Sequence, residues 1–154
     1  MKYSKLTVIA LVFLYACIDT EEPSPDSSLR SMEGEVLDLV NDHRTSQGLP
    51  LLIMDQTCHE QALIHSKDMA DGTVSFGHDG FDGRAEIVEQ TIGAIGVGEN
   101  VASGYVSAED VMEGWLNSSG HRANIQGDFN RLGVGIVLSD DDELFFTQIF
   151  AKVE

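Results

Sequence analysis

Two cysteines, three prolines, one tryptophan and nine basic residues are all that this chain of 154 residues holds of those types. Each shortage excludes something. Two cysteines cannot build the disulfide framework that staples small secreted domains, so stability has to come from a packed core. A hydrophobic fraction of 42% at this length supports one such core and leaves too little chain for a second domain of usual size. Nine Lys and Arg against 26 Asp and Glu give a formal charge of −17, more negative still once Lys2 and Lys5 leave with a cleaved leader. That surface repels phosphate backbones, so no nucleic acid is expected as a partner; only a local patch around Arg122 and Arg131 could meet an anion. No HExxH spacing occurs, which excludes the zincin arrangement. Gly93, Gly96 and Gly98 fall as GxxGxG rather than GxGxxG, so no nucleotide cofactor is expected.

The one sustained apolar run, residues 6–16, is too short to span a bilayer comfortably. With Lys2 and Lys5 before it and Cys17 after it, residues 1–17 read as a targeting segment. Leu14-Tyr15-Ala16-Cys17 resembles the bacterial lipoprotein signal, in which the cysteine takes up lipid and becomes the first mature residue; Tyr15 departs from the small residue usual there. This predicts an extracytoplasmic protein, anchored to the bacterial cell envelope through Cys17 with the membrane as a partner, ahead of plain secretion or a retained signal anchor. Residues 18–31 are rich in Ser, Pro, Asp and Glu and read as a flexible acidic tether. The acidic start after Cys17 is similar to the export signals of some surface-exposed lipoproteins. Cys58 is then left without a partner in the chain and reads as a buried thiol.

The globular part is expected over residues 32–154. Val36, Leu37 and Val40 make a helical stripe that Gly48 and Pro50 stop, with Asn41 and Arg44 on the same element. Thr57 and Glu60 have capping-box form and open a second helix, on which Cys58, Ala62, His65 and Met69 share a face. His65 there reads as a core-edge histidine bonded to a backbone carbonyl. His43 and His59 read as solvent-facing or locally bonded. Residues 71–83 form a glycine-rich loop carrying His78 and Asp79, with Val74 and Phe76 as a short strand. Residues 84–91 predict a short helix with Ile87 and Val88 inward. Residues 95–102 alternate as a strand, and alternation by itself favours an exposed Glu99 over one turned into a cleft. Ser107 caps a further helix whose inward face is Val111, Met112, Trp115 and Leu116. A break at Gly120 then presents His121, Arg122 and Asn124 on an irregular segment. Residues 132–138 and 144–150 predict a hairpin with a solvated acidic tip.

In this order the segments resemble the CAP superfamily, shared by cysteine-rich secretory proteins, venom antigens and plant pathogenesis-related proteins, and its short bacterial members most. The likeness rests on Asn41 and Arg44, Leu51, Phe76-Gly77-His78, residues 98–102, residues 115–124, Leu132-Gly133-Val134-Gly135 and Thr147-Gln148. It implies an α+β fold, an α-β-α sandwich with a small antiparallel sheet between helices, and a monomeric domain. It also implies a cleft in which His78 and His121 can hold a divalent metal, zinc being the expected ion, beside Glu99. The second glutamate of the family's cleft is replaced by Ser118. Asn41, Arg44, Trp115, Arg122, Asn124 and Gln148 are carried over as supporting residues.

Three readings follow. The favoured one is a lipid-anchored binding module whose cleft of His78, His121 and Glu99 seats a metal and a ligand without turnover. The second is a metal-dependent hydrolase of an envelope or extracellular polymer, with Glu99 as the candidate base. The third is a lipid carrier or protein-interaction module with a structural cleft.

Overall fold

The computed structural model of the protein describes residues 24–154; the leader, Cys17 and residues 18–23 lie outside the described residues. The first helix, α1, runs Pro25–Ser46, so residues 25–31 belong to it rather than to the tether. The reason is local. Ser24 caps the helix by accepting from the Ser27 amide at 3.3 Å, proline stands in its first turn, and Asp26 complements the positive helix end. A Ser-Pro-Asp start is a stronger helix signal than the polar composition around it.

After α1 come β1 (Ile53–Met54), α2 (Gln56–Ala70), α3 (Phe81–Ile92), β2 (Ala94–Ser103), α4 (Ala108–Asn117), α5 (Ser119–Ile125), β3 (Arg131–Leu138) and β4 (Leu144–Val153). The strands form one sheet in the order β1-β3-β4-β2. β3 and β4 make the expected antiparallel hairpin and β2 pairs antiparallel to β4; the two-residue β1 pairs parallel to β3, so the sheet is mixed rather than wholly antiparallel.

Helices cover both faces, which gives the expected α-β-α sandwich. On one side, α1 and α4 bring Val36, Val40, Val111 and Trp115 against Leu132, Ile136, Phe146 and Phe150. On the other, Cys58 and Ala62 of α2 and Val88 of α3 pack on Ile149 and Ala151. Gly133 and Gly135 permit that second layer: a Cβ on Gly133 would stand 2.0 Å from the Cys58 carbonyl carbon, and one on Gly135 2.3 Å from the Leu63 nitrogen. Ser66 then reaches between the layers to the Gly135 carbonyl and the Thr147 hydroxyl, both at 2.8 Å.

Several local expectations are corrected. Asp55, not Thr57, caps α2, its carboxylate accepting from the Cys58 amide at 3.0 Å. Residues 74–76 form bends rather than a strand, because the amides of Thr73 and Val74 return to the Asp68 carbonyl. On α3 the inward face is Arg84 and Val88, one turn apart, while Ile87 is exposed. The break after α4 falls at Ser118, which is extended, and Gly120 lies inside α5. His121, Arg122 and Asn124 therefore sit on a short helix, which fixes their spacing.

Candidate functional site

Glu99 is the centre of the site, and it is buried. Its side chain, 2% exposed, projects from β2 toward α2 and α3, which overturns the exposed reading. What makes burial tolerable is Arg84 of α3: Nε donates to Oε2 at 2.8 Å and NH2 to Oε1 at 2.9 Å. Arg84 NH1 also donates to the Asp79 carbonyl at 2.9 Å, so the guanidinium ties β2 to the loop before α3. Gly80 in that loop has φ of +77° and lies close enough to Arg84 that a Cβ would be 3.2 Å from NH1.

The loop carries His78. Its Nδ1 donates to Glu99 Oε1 at 2.9 Å, and with 52% of the side chain exposed the other face of the ring is left toward solvent. A carboxylate on Nδ1 fixes the tautomer and leaves the Nε2 lone pair available. From α2, His65 Nε2 donates to the Gly77 carbonyl at 2.8 Å and lies 3.9 Å from Glu99 Oε1. Burial pushes the His65 pKa down, so the ring is a neutral support for the loop.

His121 arrives from the opposite layer. Its backbone carbonyl accepts from Asn100 Nδ2 at 3.1 Å, and its pKa is pushed down first by burial and then by repulsion between its charged form and that of His78. Asn124 supports the same strand, donating at 2.9 Å both to the Glu99 carbonyl and to Asn100 Oδ1. Asn100 in turn donates to Gln148 Oε1 at 3.0 Å, and the buried Gln148 Nε2 has no partner among the described residues. Beside His121 lies a recess of about 360 Å³ lined by Phe76, Val101, Tyr105, Trp115 and Ser118. Ser118 stands at its wall as the residue between α4 and α5.

Of the predicted supporting residues, Trp115 Nε1 donates to the Val101 carbonyl at 3.2 Å at the cleft wall, and Arg122 donates to the Leu116 carbonyl, tying α5 to α4. Asn41 and Arg44 act at a distance. Asn41 exchanges two hydrogen bonds with the Leu52 backbone, at 3.0 and 2.8 Å. Arg44, fully buried, donates to the carbonyls of Pro50, Ile125, Gly127 and Phe129 and so anchors the end of α5. Arg84 and Asn100 are the residues that reading the sequence for function missed. Arg84 could have been found as a scarce cation one turn from Val88 on an apolar helix face.

Among the described residues no group of three or more His, Cys, Asp or Glu is arranged to hold a metal. The donors present are two imidazoles; Glu99 has both oxygens engaged by Arg84 and His78. Two imidazoles do not make a closed structural site, and an ion held by His78 and His121 would keep its other positions open to water or ligand.

Residues 37–150 match the model of the cysteine-rich secretory protein family, CAP. The chain belongs to the CAP family. It is 38% identical over 125 residues to YlbC of Bacillus subtilis, an uncharacterized membrane protein, covering 78% of this chain and 34% of that one. It is 36% identical over 120 residues to YkwD of the same organism, an uncharacterized protein, covering 75% and 46%. Among solved structures, an extracellular protein containing an SCP domain from Bacillus anthracis is 33% identical with a TM-score of 0.72, covering 86% of this chain and 45% of that one. The CAP chain described here thus spans less than half the length of each of these relatives.

Proposed function

We propose that this CAP domain is an extracytoplasmic, lipid-anchored binding module in which His78 and His121 hold a divalent ion, zinc by ligand type, next to a ligand seated in the apolar recess. The observation that carries the reading is the burial of Glu99 under three hydrogen bonds. A general base must reach the proton it removes; this carboxylate is 2% exposed, held on both oxygens by Arg84 and on one by His78. Its work is to orient His78 so that Nε2 faces the cleft. A bound zinc would supply a Lewis acid and make a coordinated water more acidic. His121 supplies a neutral imidazole near neutral pH, since burial and His78 both disfavour its charged form.

The location rests on the leader ending at Cys17 and on relatives described as an extracellular protein and as a membrane protein. The aromatic and aliphatic part of the recess, Phe76, Val101 and Trp115, with Phe76 exposed, favours a ligand that carries a hydrocarbon portion beside its polar group.

Calorimetric titration of zinc into residues 18–154 tests the reading. Saturable binding near one ion per chain is expected, lost in His78→Ala and in His121→Ala and weakened about 10-fold or more in Glu99→Gln, the size seen for removing the partner of a metal-binding imidazole. Wild-type binding in both alanine variants refutes the metal site. Chelator-sensitive hydrolysis of an envelope polymer, abolished by Glu99→Gln, would replace this reading with the hydrolase.

A further inference from the structure

The end of the domain where α1 begins carries a second, apolar groove, which shares only Tyr105 with the recess beside His121. It measures about 400 Å³ and is lined by Leu29 and Met32 of α1, Tyr105 and Val106 after β2, and Leu138 and Leu144 at the hairpin. Val106 is 77% exposed and Leu138 44% exposed, so their side chains stand in water beside a hollow of similar chemistry. Leu138 ends β3 and Leu144 starts β4, so the groove sits at one end of the sheet. Ile53, paired with Arg131 at the other end of β3, marks the far end.

The connection to Cys17 decides what faces this groove. Because α1 starts at Pro25, only seven residue steps separate Ser24 from Cys17. Fully extended, they reach about 25 Å. A domain of about 130 residues is roughly 36 Å across. A lipid on Cys17 therefore keeps the α1 end within about 25 Å of the bilayer, whereas Ile53 lies seven residues of β3, about 23 Å, further along the sheet.

Resting on the reading of Cys17 as a lipid attachment site, we infer that the groove of Val106 and Leu138 is a membrane-docking face that seats on the zwitterionic lipid surface at the anchor. Charge selects this occupant. Asp142 and Glu143 line the groove and Glu35 stands beside it, so an anionic bilayer is repelled. Residues 18–23 contain Asp19, Glu21 and Glu22, so the tether itself is repelled by the same rim. Neutral headgroups have no such penalty.

The test uses the full lipidated chain in phosphatidylcholine vesicles, with an environment-sensitive fluorophore on Val106→Cys or, separately, on Ile53→Cys. Cys58 is fully buried and does not compete for the label. Vesicle binding with a blue-shifted Val106 label that spin-labelled lipid quenches, and an unshifted Ile53 label, supports the proposal. Vesicle binding with both labels unshifted keeps the anchor and overturns the docking face. A Val106 label equally shifted in Cys17→Ser protein without vesicles assigns the groove to the tether and also overturns it. If mass spectrometry finds Cys17 without lipid and the chain stays in the supernatant, the anchor reading fails and the docking face falls with it.

Discussion

Replacing Arg84 by methionine keeps most of the side chain's volume and removes the charge that balances Glu99. Glu99 is 2% exposed and Arg84 11%, so solvent can screen neither well. Breaking one side of a buried, hydrogen-bonded ion pair costs about 3–5 kcal/mol, because the other charge is left unpaired in a low dielectric. Loss of the bond from Arg84 to the Asp79 carbonyl adds about 1 kcal/mol. For a domain of this size the pair term alone lowers the melting temperature by roughly 12–20 °C. Glu99→Gln made in the Arg84→Met background removes the orphaned charge and should recover part of that loss, while the Asp79 carbonyl stays unbonded. Urea unfolding of the wild type, both single variants and the double variant closes the cycle. A coupling of about 2–3 kcal/mol is expected for charges in direct contact. Additivity within about 0.5 kcal/mol would mean that Glu99 is hydrated, and the account of its burial and of its role in orienting His78 would fail.

Three further outcomes follow from the same packing. Gly133→Ala sets a Cβ against α2 backbone atoms at 2.0–2.4 Å, so it should cost at least about 3 kcal/mol or prevent folding, read as loss of the cooperative urea transition. Cys58, whose thiol pKa burial pushes up to about 12, should ignore a chromogenic disulfide reagent in the folded protein and react at once in denaturant. His65 and His121 both titrate below their ordinary 6.5, so the unfolded chain takes up protons first; stability should be full above pH 6.5 and fall as the pH drops below it, with a shallower fall in His65→Gln. Glu33 acts in the opposite sense: burial raises it above 4.5, so its contribution is present below that pH and lost as pH rises through its folded value.

The features legible in the sequence were those that local chemistry decides. Ser107 caps α4 through the Asp110 amide at 3.1 Å, and the apolar stripe of Val111, Met112 and Trp115 is the face that α4 buries. Cys58, Ala62, His65 and Met69 share the buried face of α2, and His65 bonds to a backbone carbonyl as its surroundings suggested. Glu99 was misread from alternation because the partner that neutralises it lies 15 residues earlier on another element, and strand periodicity carries no information about a counter-charge. The start of α1 was misread for the converse reason: composition over 14 residues outweighed a three-residue cap that determines the backbone. His121 was singled out by its place on an irregular segment, but its pairing with His78 rested on family likeness alone, since nothing in their local sequence says that a loop and a short helix from opposite layers converge on one strand.

That convergence follows from how the sheet ends. β2 is an edge strand, and the carbonyls of Glu99 and Val101, two residues apart, point away from β4. An exposed edge of this kind invites pairing with another chain. Here Asn124 caps the first carbonyl and Trp115 the second. Those bonds pull α4 and α5 over the edge and bring His121 with them. On the opposite side of the sheet, β3 extends beyond the short β1, and His59 donates to the Val134 carbonyl at 2.7 Å while Glu33 accepts from the Ile136 amide at 3.1 Å. Both edges are thus finished by side chains. At β3 the closure is only structural. At β2 the strand being closed also carries Glu99 on its other face, with Arg84 and His78 attached, so satisfying the edge assembles the cleft. A chain that loses the Asn124 bond to Glu99 therefore loses edge protection and the placement of His121 together, which is why the site cannot be separated from the fold that holds it.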